Sequence, residues 1–149
     1  MRAVIQRVEY AKVSVDKKIY GEIKNGLMVL IGVEQGDCQA DAKYIVDKIT
    51  TMRIFEDEQE KMNLSIIDKG YDILAISQFT LLGDARKGRR PSFSSAEKPK
   101  EANELFEFVC SEIAQKNINI QKGVFGAHMK VELCNDGPVT ILLDSKKIF

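Results

Sequence analysis

Three short stretches carry side chains whose types and spacing suit chemistry. The first is Ser77-Gln78-Phe79-Thr80, where polar residues interrupt YDILAISQFTLLG, a run that otherwise reads as a buried strand ending at Gly83. Buried polar groups need partners or a purpose. Ser77 and Thr80 can bond to neighbouring backbone; on the functional reading, Gln78, Thr80 and nearby N–H groups line a pocket at a strand end. The second stretch, RKGRRPSF, packs Arg86, Lys87, Arg89 and Arg90 into five residues. A charge run is ordinarily a solvated loop, but beside a polar strand end it also suits a phosphate-bearing partner. The third is NDGPVT, Asn135–Thr140. Proline in a sheet is confined to edges, first positions or bulges, so Asp136-Gly137-Pro138 reads as a turn that launches the last strand.

His128 is the single histidine, and FGAHMKVEL places it on a strand with no catalytic partner in view. A Ser/His/Asp or Cys/His arrangement would have to be built around it. HExxH, a strand-borne GxGxxG and a Walker loop are all absent from the sequence, so no metal and no cofactor is expected. Cys38, Cys110 and Cys134 are odd in number and scattered, which favours reduced thiols over a disulfide framework or a zinc site.

The 149 residues suit one domain, 1–149, with 44% hydrophobic and 30% charged residues, an ordinary globular composition. Lys plus Arg and Asp plus Glu each number 22, so a nucleic-acid partner would have to be held by a local basic patch. No run of about 18 apolar residues offers a membrane-spanning helix. The opening MRAVIQRVEY alternates like a strand rather than a signal peptide, so a cytoplasmic location is expected.

The elements that must position these stretches follow from the pattern. Residues 2–9 alternate as a strand that AKVSVD prolongs; Asp16-Lys17-Lys18 turns, and IYGEI pairs back. Asn25-Gly26 turns into LMVLIGV, apolar enough to be central. Asp37 is placed to cap a helix over 38–52, and Pro99 to open a second through Ala102, Leu105, Phe106, Val109 and Ile113. Residues 53–57 read as extended, 57–61 as a polar turn, and 127–134 and 138–144 as the closing strands. This pattern predicts an α+β domain with a curved, largely antiparallel sheet and two main helices.

Taken together, MRAVIQRV, SQFTL, GRRPSF and NDGPVT resemble the D-aminoacyl-tRNA deacylases over essentially the whole chain. The resemblance implies a barrel-like homodimer that hydrolyses the ester between a D-amino acid and the terminal ribose of tRNA. It also implies action on glycine mischarged to tRNA-Ala. In that family Gly137-Pro138 is a cis peptide that reaches into the partner's active site as a chiral filter, fixed with the help of Arg7. Backbone N–H groups around Phe79 and Thr80 then stabilise the oxyanion and a tRNA ribose hydroxyl assists, with Ser77 and Gln78 in the same motif. Arg86, Lys87, Arg89 and Arg90 become candidate tRNA contacts. Lys12 and His128 depart from residues common in the family. Phe79 argues for the chirality-proofreading class, because a related class carries another residue there and a trans Gly-Pro. Two competing functions remain: a nucleic-acid-binding protein of this fold without hydrolysis, and an esterase for small D-amino-acid esters.

Overall fold

Strand β1 (Arg2–Val15) is the spine of the fold in the computed structural model, which describes residues 1–148. Along one edge it pairs antiparallel first with β3 (Gly26–Gly32) and then with β2 (Lys18–Ile23). Along the other edge it pairs with β8 (Lys130–Asp144), antiparallel from Arg2↔Asp144 to Ser14↔Lys130. The sheet continues from β3 to β6 (Asp72–Ser77) and then to β7 (Ile120–Lys122), and both of these pairings are parallel. Parallel neighbours need long crossovers. Helices α1 (Gln39–Thr51) and α3 (Pro99–Ala114) lie within them, with a short hairpin of β4 (Phe55–Glu56) and β5 (Met62–Leu64) and a single-turn helix α2 (Ile66–Lys69). The fold is therefore α+β as expected, with a parallel centre inside the antiparallel frame.

The sheet curls until its ends nearly meet. A Cβ on Gly21 of β2 would lie 3.1 Å from Leu74 Cδ1 and 3.2 Å from Gln121 Cβ, so β2 packs closely against β6 and β7. Alternation of side chains sorts the core into two clusters. Ala3, Ile5, Leu27, Val29, Ile31, Ile73 and Ala75 face α1 and α3, where Ile45, Ile49, Phe106 and Val109 meet them. Val8, Ala11, Val13, Met28, Leu74 and Ile76 fill the inside of the curl.

Several expected boundaries shift, each for a physical reason. The apolar strand ends at Ser77 rather than Gly83; Phe79–Leu82 form a 3-10 turn in which Leu82 is buried and Phe79 exposed. Asp37 does not cap α1, because its carboxylate takes the Met1 ammonium at 2.7 Å and the Glu34 N–H at 2.6 Å. Cys38 is the N-cap instead, and its N–H donates to Asp41 at 2.9 Å. That bond is the main reason the Asp41 carboxyl is held down at about 2. The short helix α2, which the sequence pattern does not predict, is bounded by a capping box of Ser65 and Asp68 and by Gly70 in the left-handed conformation.

The largest difference lies in NDGPVT. Residues 136–139 are not a turn between two strands; they interrupt one continuous strand. Pairing with β1 runs on both sides, at Gln6↔Thr140 and Val8↔Asn135, with only Arg7 on β1 opposite Asp136, Gly137, Pro138 and Val139 on β8. The extra residues form an enlarged bulge. Asn135 closes it, its Nδ2 donating to the carbonyls of Arg7 at 2.8 Å and of Val139 at 2.9 Å. Asn135→Ala would leave both carbonyls unpaired and should lower unfolding stability by about 1–2 kcal/mol, measured by urea denaturation. An unchanged midpoint would mean that water replaces the carboxamide without loss.

Candidate active site

The end of β6 is held on every side. The Gln78 N–H donates to Ile31 O at 2.7 Å and extends the ladder one step before the chain turns. Gly32 permits the close approach that follows, since a Cβ there would lie 2.9 Å from Gln78 O and 2.6 Å from Leu82 Cδ2. Arg2 fixes the far end of the turn, its Nη1 donating to Leu81 O at 3.0 Å while its Nε bonds Asp144 at 3.0 Å. Ser95 Oγ donates to Leu82 O at 3.1 Å. Arg2, Gly32 and Ser95 escaped the sequence reading because their partners lie far along the chain and no local spacing marks them.

Ser77, Gln78 and Phe79 form one wall of a cavity of about 510 Å³. The start of α3 and the irregular segment Phe125–Met129 complete it, and most of the lining is apolar. Gly123 lets that segment fold back, since a Cβ there would sit 2.5 Å from Met129 Sδ. His128 was expected on a strand; it precedes β8 and lines the cavity instead. Thr80 is exposed and does not line the cavity.

The hydrogen bonds around these residues limit the chemistry. Gln78 Nε2 donates to the Thr80 hydroxyl, and no ionisable side chain bonds that hydroxyl among the described residues. Glu97, in the cavity wall, accepts the backbone N–H groups of Lys98 at 2.8 Å and Gly36 at 3.3 Å. Within the 3-10 turn, Leu81 N–H donates to Gln78 O and Gly83 N–H to Thr80 O; the N–H groups of Phe79 and Thr80 precede these bonds. The arrangement favours backbone donors over an activated side chain. No cysteine lines the cavity, and burial, reinforced by Glu107, pushes the Cys110 thiol up to about 12, so that residue carries no thiolate near neutrality. No three His, Cys, Asp or Glu side chains converge to hold a metal ion among the described residues.

Arg7 on β1 stands against Gly137 and Pro138 of the bulge, and the lining of their own chain's cavity includes none of the three. The Gly137-Pro138 bond is cis, and Gly137 has φ +120°. A Cβ on Gly137 would meet Val139 Cγ2 at 2.8 Å and Arg7 Nη2 at 3.2 Å. Arg7 is buried, and its Nη1 donates to Ile54 O at 2.8 Å. Its Nε lies 3.0 Å from Asp136 Oδ2 but makes no hydrogen bond, so the Asp136 contact is ionic and off the N–H direction. Glu56 is 3.6 Å from Nη2. Arg7 thus braces the bulge of its own chain.

The basic residues occupy a loop closed by the Asp84↔Ser92 bridge. Arg86 is not free, because Asp84 grips it with contacts of 2.9 and 2.7 Å. Lys87, Arg89 and Arg90 form no salt bridge among the described residues; Lys87 and Arg90 line a groove of about 590 Å³ with Ser92 and the Asp84–Arg86 pair. Lys12, which departs from the family pattern, pairs across the strands with Glu132 at 3.0 Å.

Comparisons with known proteins agree with this geometry. The D-Tyr-tRNA(Tyr) deacylase family matches residues 4–144. A D-aminoacyl-tRNA deacylase of Koribacter versatilis is 56% identical over 149 residues, covering all of both chains. Proteins of the same name from Thermosipho melanesiensis and Clostridioides difficile are each 55% identical over the full length of both chains. Among solved structures, a c-Myc DNA unwinding element binding protein superposes with TM-score 0.90 at 38% identity, over 97% of this chain and 98% of that one. A probable eukaryotic D-amino acid tRNA deacylase, 16% identical, shares the fold with TM-score 0.80 over 95% of this chain and 97% of its own. The family match across the sheet, the cavity and the bulge, together with full-length identity of 55–56%, shows that this chain belongs to the D-Tyr-tRNA(Tyr) deacylase family.

Proposed function

We propose that the protein hydrolyses the ester bond of D-aminoacyl-tRNA and releases the free D-amino acid and tRNA. The observation that carries this reading is the juxtaposition of the cavity with Ser77, Gln78 and Phe79 on a strand end fixed by Arg2, Gly32 and Ser95. In the proposed reaction, water adds to the ester carbonyl carbon, the bond to the ribose oxygen breaks, and that oxygen takes a proton. Amides of Phe79 and Thr80 supply the oxyanion donors, and the neighbouring ribose hydroxyl orients water. An ester is easier to cleave than an amide, so this donor set suffices without an activated nucleophile. The cytoplasm, where tRNA is charged, is the expected location.

Selection of handedness is assigned to Gly137-Pro138 of a second copy. Gly137 and Pro138 are exposed on the bulge and take no part in the cavity lining of their own chain, which supports a homodimer with shared sites. Backbone contact at the substrate Cα excludes L side chains and admits D side chains of any size. Glycine, with no side chain, would pass the same filter.

The name of the 38% identical structure favours a second reading, nucleic-acid binding without hydrolysis. Incubation with D-Tyr-tRNA and L-Tyr-tRNA separates the two. Rapid loss of D-tyrosine alone is expected, and binding with both esters intact would establish the alternative.

Three variants test the parts. Thr80→Ala should slow deacylation about tenfold, the effect of one lost hydrogen bond. A loss of several orders of magnitude, with an acyl-enzyme trapped on quenching, would instead identify Thr80 as a covalent nucleophile. Gly137→Ala places a Cβ at φ +120° against Val139 and Arg7, and should lower D-ester hydrolysis at least tenfold while the circular dichroism spectrum is retained. Undiminished D-selectivity in that variant would move the filter to Phe79. Replacing Lys87 and Arg90 by Gln should reduce the slope of log K against log salt by about two for tRNA binding. Arg86→Gln should change it less, because Asp84 already neutralises Arg86.

A further inference from the structure

Two phenylalanines remain conspicuous on the surface between the cavity and the basic groove. Phe79 is 57% exposed and Phe93 is 38% exposed, and their rings meet edge to face with centroids 5.2 Å apart. Burying a phenylalanine is worth about 1.5–3 kcal/mol, so an ordinary fold would turn both inward. Neither ring is loosely held. Phe79 stands at the start of the 3-10 turn fastened by Arg2 and Ser95. Phe93 follows Ser92 of the Asp84↔Ser92 bridge, and its carbonyl accepts the Ala96 N–H at 3.0 Å. It also leans on Gly83: a Cβ there would be 2.9 Å from Phe93 Cε1. The pair is pre-organised and open to solvent.

Its neighbours define the occupant. Phe79 lines the cavity, and Ser92, next to Phe93, lines the basic groove with Lys87, Arg90 and the Asp84–Arg86 pair, whose charges cancel. Cationic side chains that track phosphates, alternating with exposed aromatic rings, are how proteins hold single-stranded nucleic acid. Bases freed from a duplex stack on such rings with little regard to sequence.

We propose that Phe79 and Phe93 form a stacking platform for the unpaired 3′ nucleotides of tRNA. The phosphates of that strand lie along Lys87 and Arg90, a base ahead of the terminal nucleotide rests on Phe93, and the terminal nucleotide enters the cavity past Phe79. The proposal rests on the deacylase reading for its substrate and adds a binding residue, Phe93, that touches neither the ester nor its amino acid. A platform of this kind is indifferent to the amino acid and serves every tRNA, because the aromatic face accepts any base.

The test compares wild type with Phe93→Ala, Phe93→Leu and Phe93→Tyr on two substrates, D-Tyr-tRNA and D-tyrosyl-adenosine. In parallel, binding of fluorescein-labelled uncharged tRNA is measured with and without its single-stranded 3′ end. Phe93→Ala and Phe93→Leu should raise KM for D-Tyr-tRNA about tenfold with kcat unchanged, and leave D-tyrosyl-adenosine unaffected. Phe93→Tyr should retain wild-type values. The two non-aromatic variants should weaken intact tRNA and not the trimmed form, with the salt slope unaltered. Equal effects on both substrates, full rescue by leucine, or equal weakening of intact and trimmed tRNA would overturn the platform and leave Phe93 a packing residue. Loss of the dimer in Phe93→Tyr and Phe93→Leu alike would also overturn it, by making the pair a protein contact. The hydrolysis reading fails separately, if wild type leaves both esters intact while tRNA binding still responds to Phe93.

Discussion

The ladder between β1 and β8 governs the rest of the molecule. A 14-residue strand and a 15-residue strand, from opposite ends of the chain, run side by side; the register shifts at Glu9, and most strongly where Arg7 faces an oversized bulge. On both sides of the bulge the register is fixed by residues that must face one core or the other, so the interruption cannot slide. Asn135 satisfies the two carbonyls at its mouth, and buried Arg7 gathers Ile54 O, Glu56 and Asp136 around it. Backbone is thus presented at the surface in a fixed shape.

The same ladder reaches the cavity by another route. Arg2, at the start of β1, joins Asp144 at the end of β8 to the carbonyl of Leu81 in the 3-10 turn. The Met1 ammonium, bonded to Asp37 and Ser145, ties that corner to the entrance of α1. The strand pair that carries the bulge therefore also anchors the strand end that lines the cavity. A chemistry based on backbone groups depends on such anchoring, because amides and carbonyls cannot change rotamer to correct a misplacement.

Charge is arranged locally rather than globally. With Lys plus Arg equal to Asp plus Glu, the chain carries no net charge, and its basic residues matter through local clusters such as the 86–90 loop, within a screening length of about 10 Å. Asp84 confines Arg86, whose guanidinium in turn holds the Asp84 carboxyl well below the usual carboxylate range. That pair shapes the loop and leaves Lys87, Arg89 and Arg90 as its free cations among the described residues.

Local pattern determined most of the elements. Periodicity placed α1 and α3 within a residue or two, and apolar runs identified β3 as central and β6 as buried, because side-chain spacing directly encodes which face is buried. The motifs Ser77–Thr80, Arg86–Arg90 and Asn135–Thr140 were visible as polar or proline-bearing interruptions of those runs. Tertiary structure alone decided how they are used. The parallel pairing of β3 with β6 follows from where α1 packs, and the end of β6 at Ser77 follows from Gly32 admitting the turn; no spacing announces either. NDGPVT looked like a turn because proline and glycine are punctuation in isolation. It became a bulge within a strand because β1 pairs on both sides of it, a contact between residues more than 120 positions apart. Positions such as Arg2, Ser95, His128 and Phe93 gained their places in the same way, from neighbours that only the closed sheet brings together.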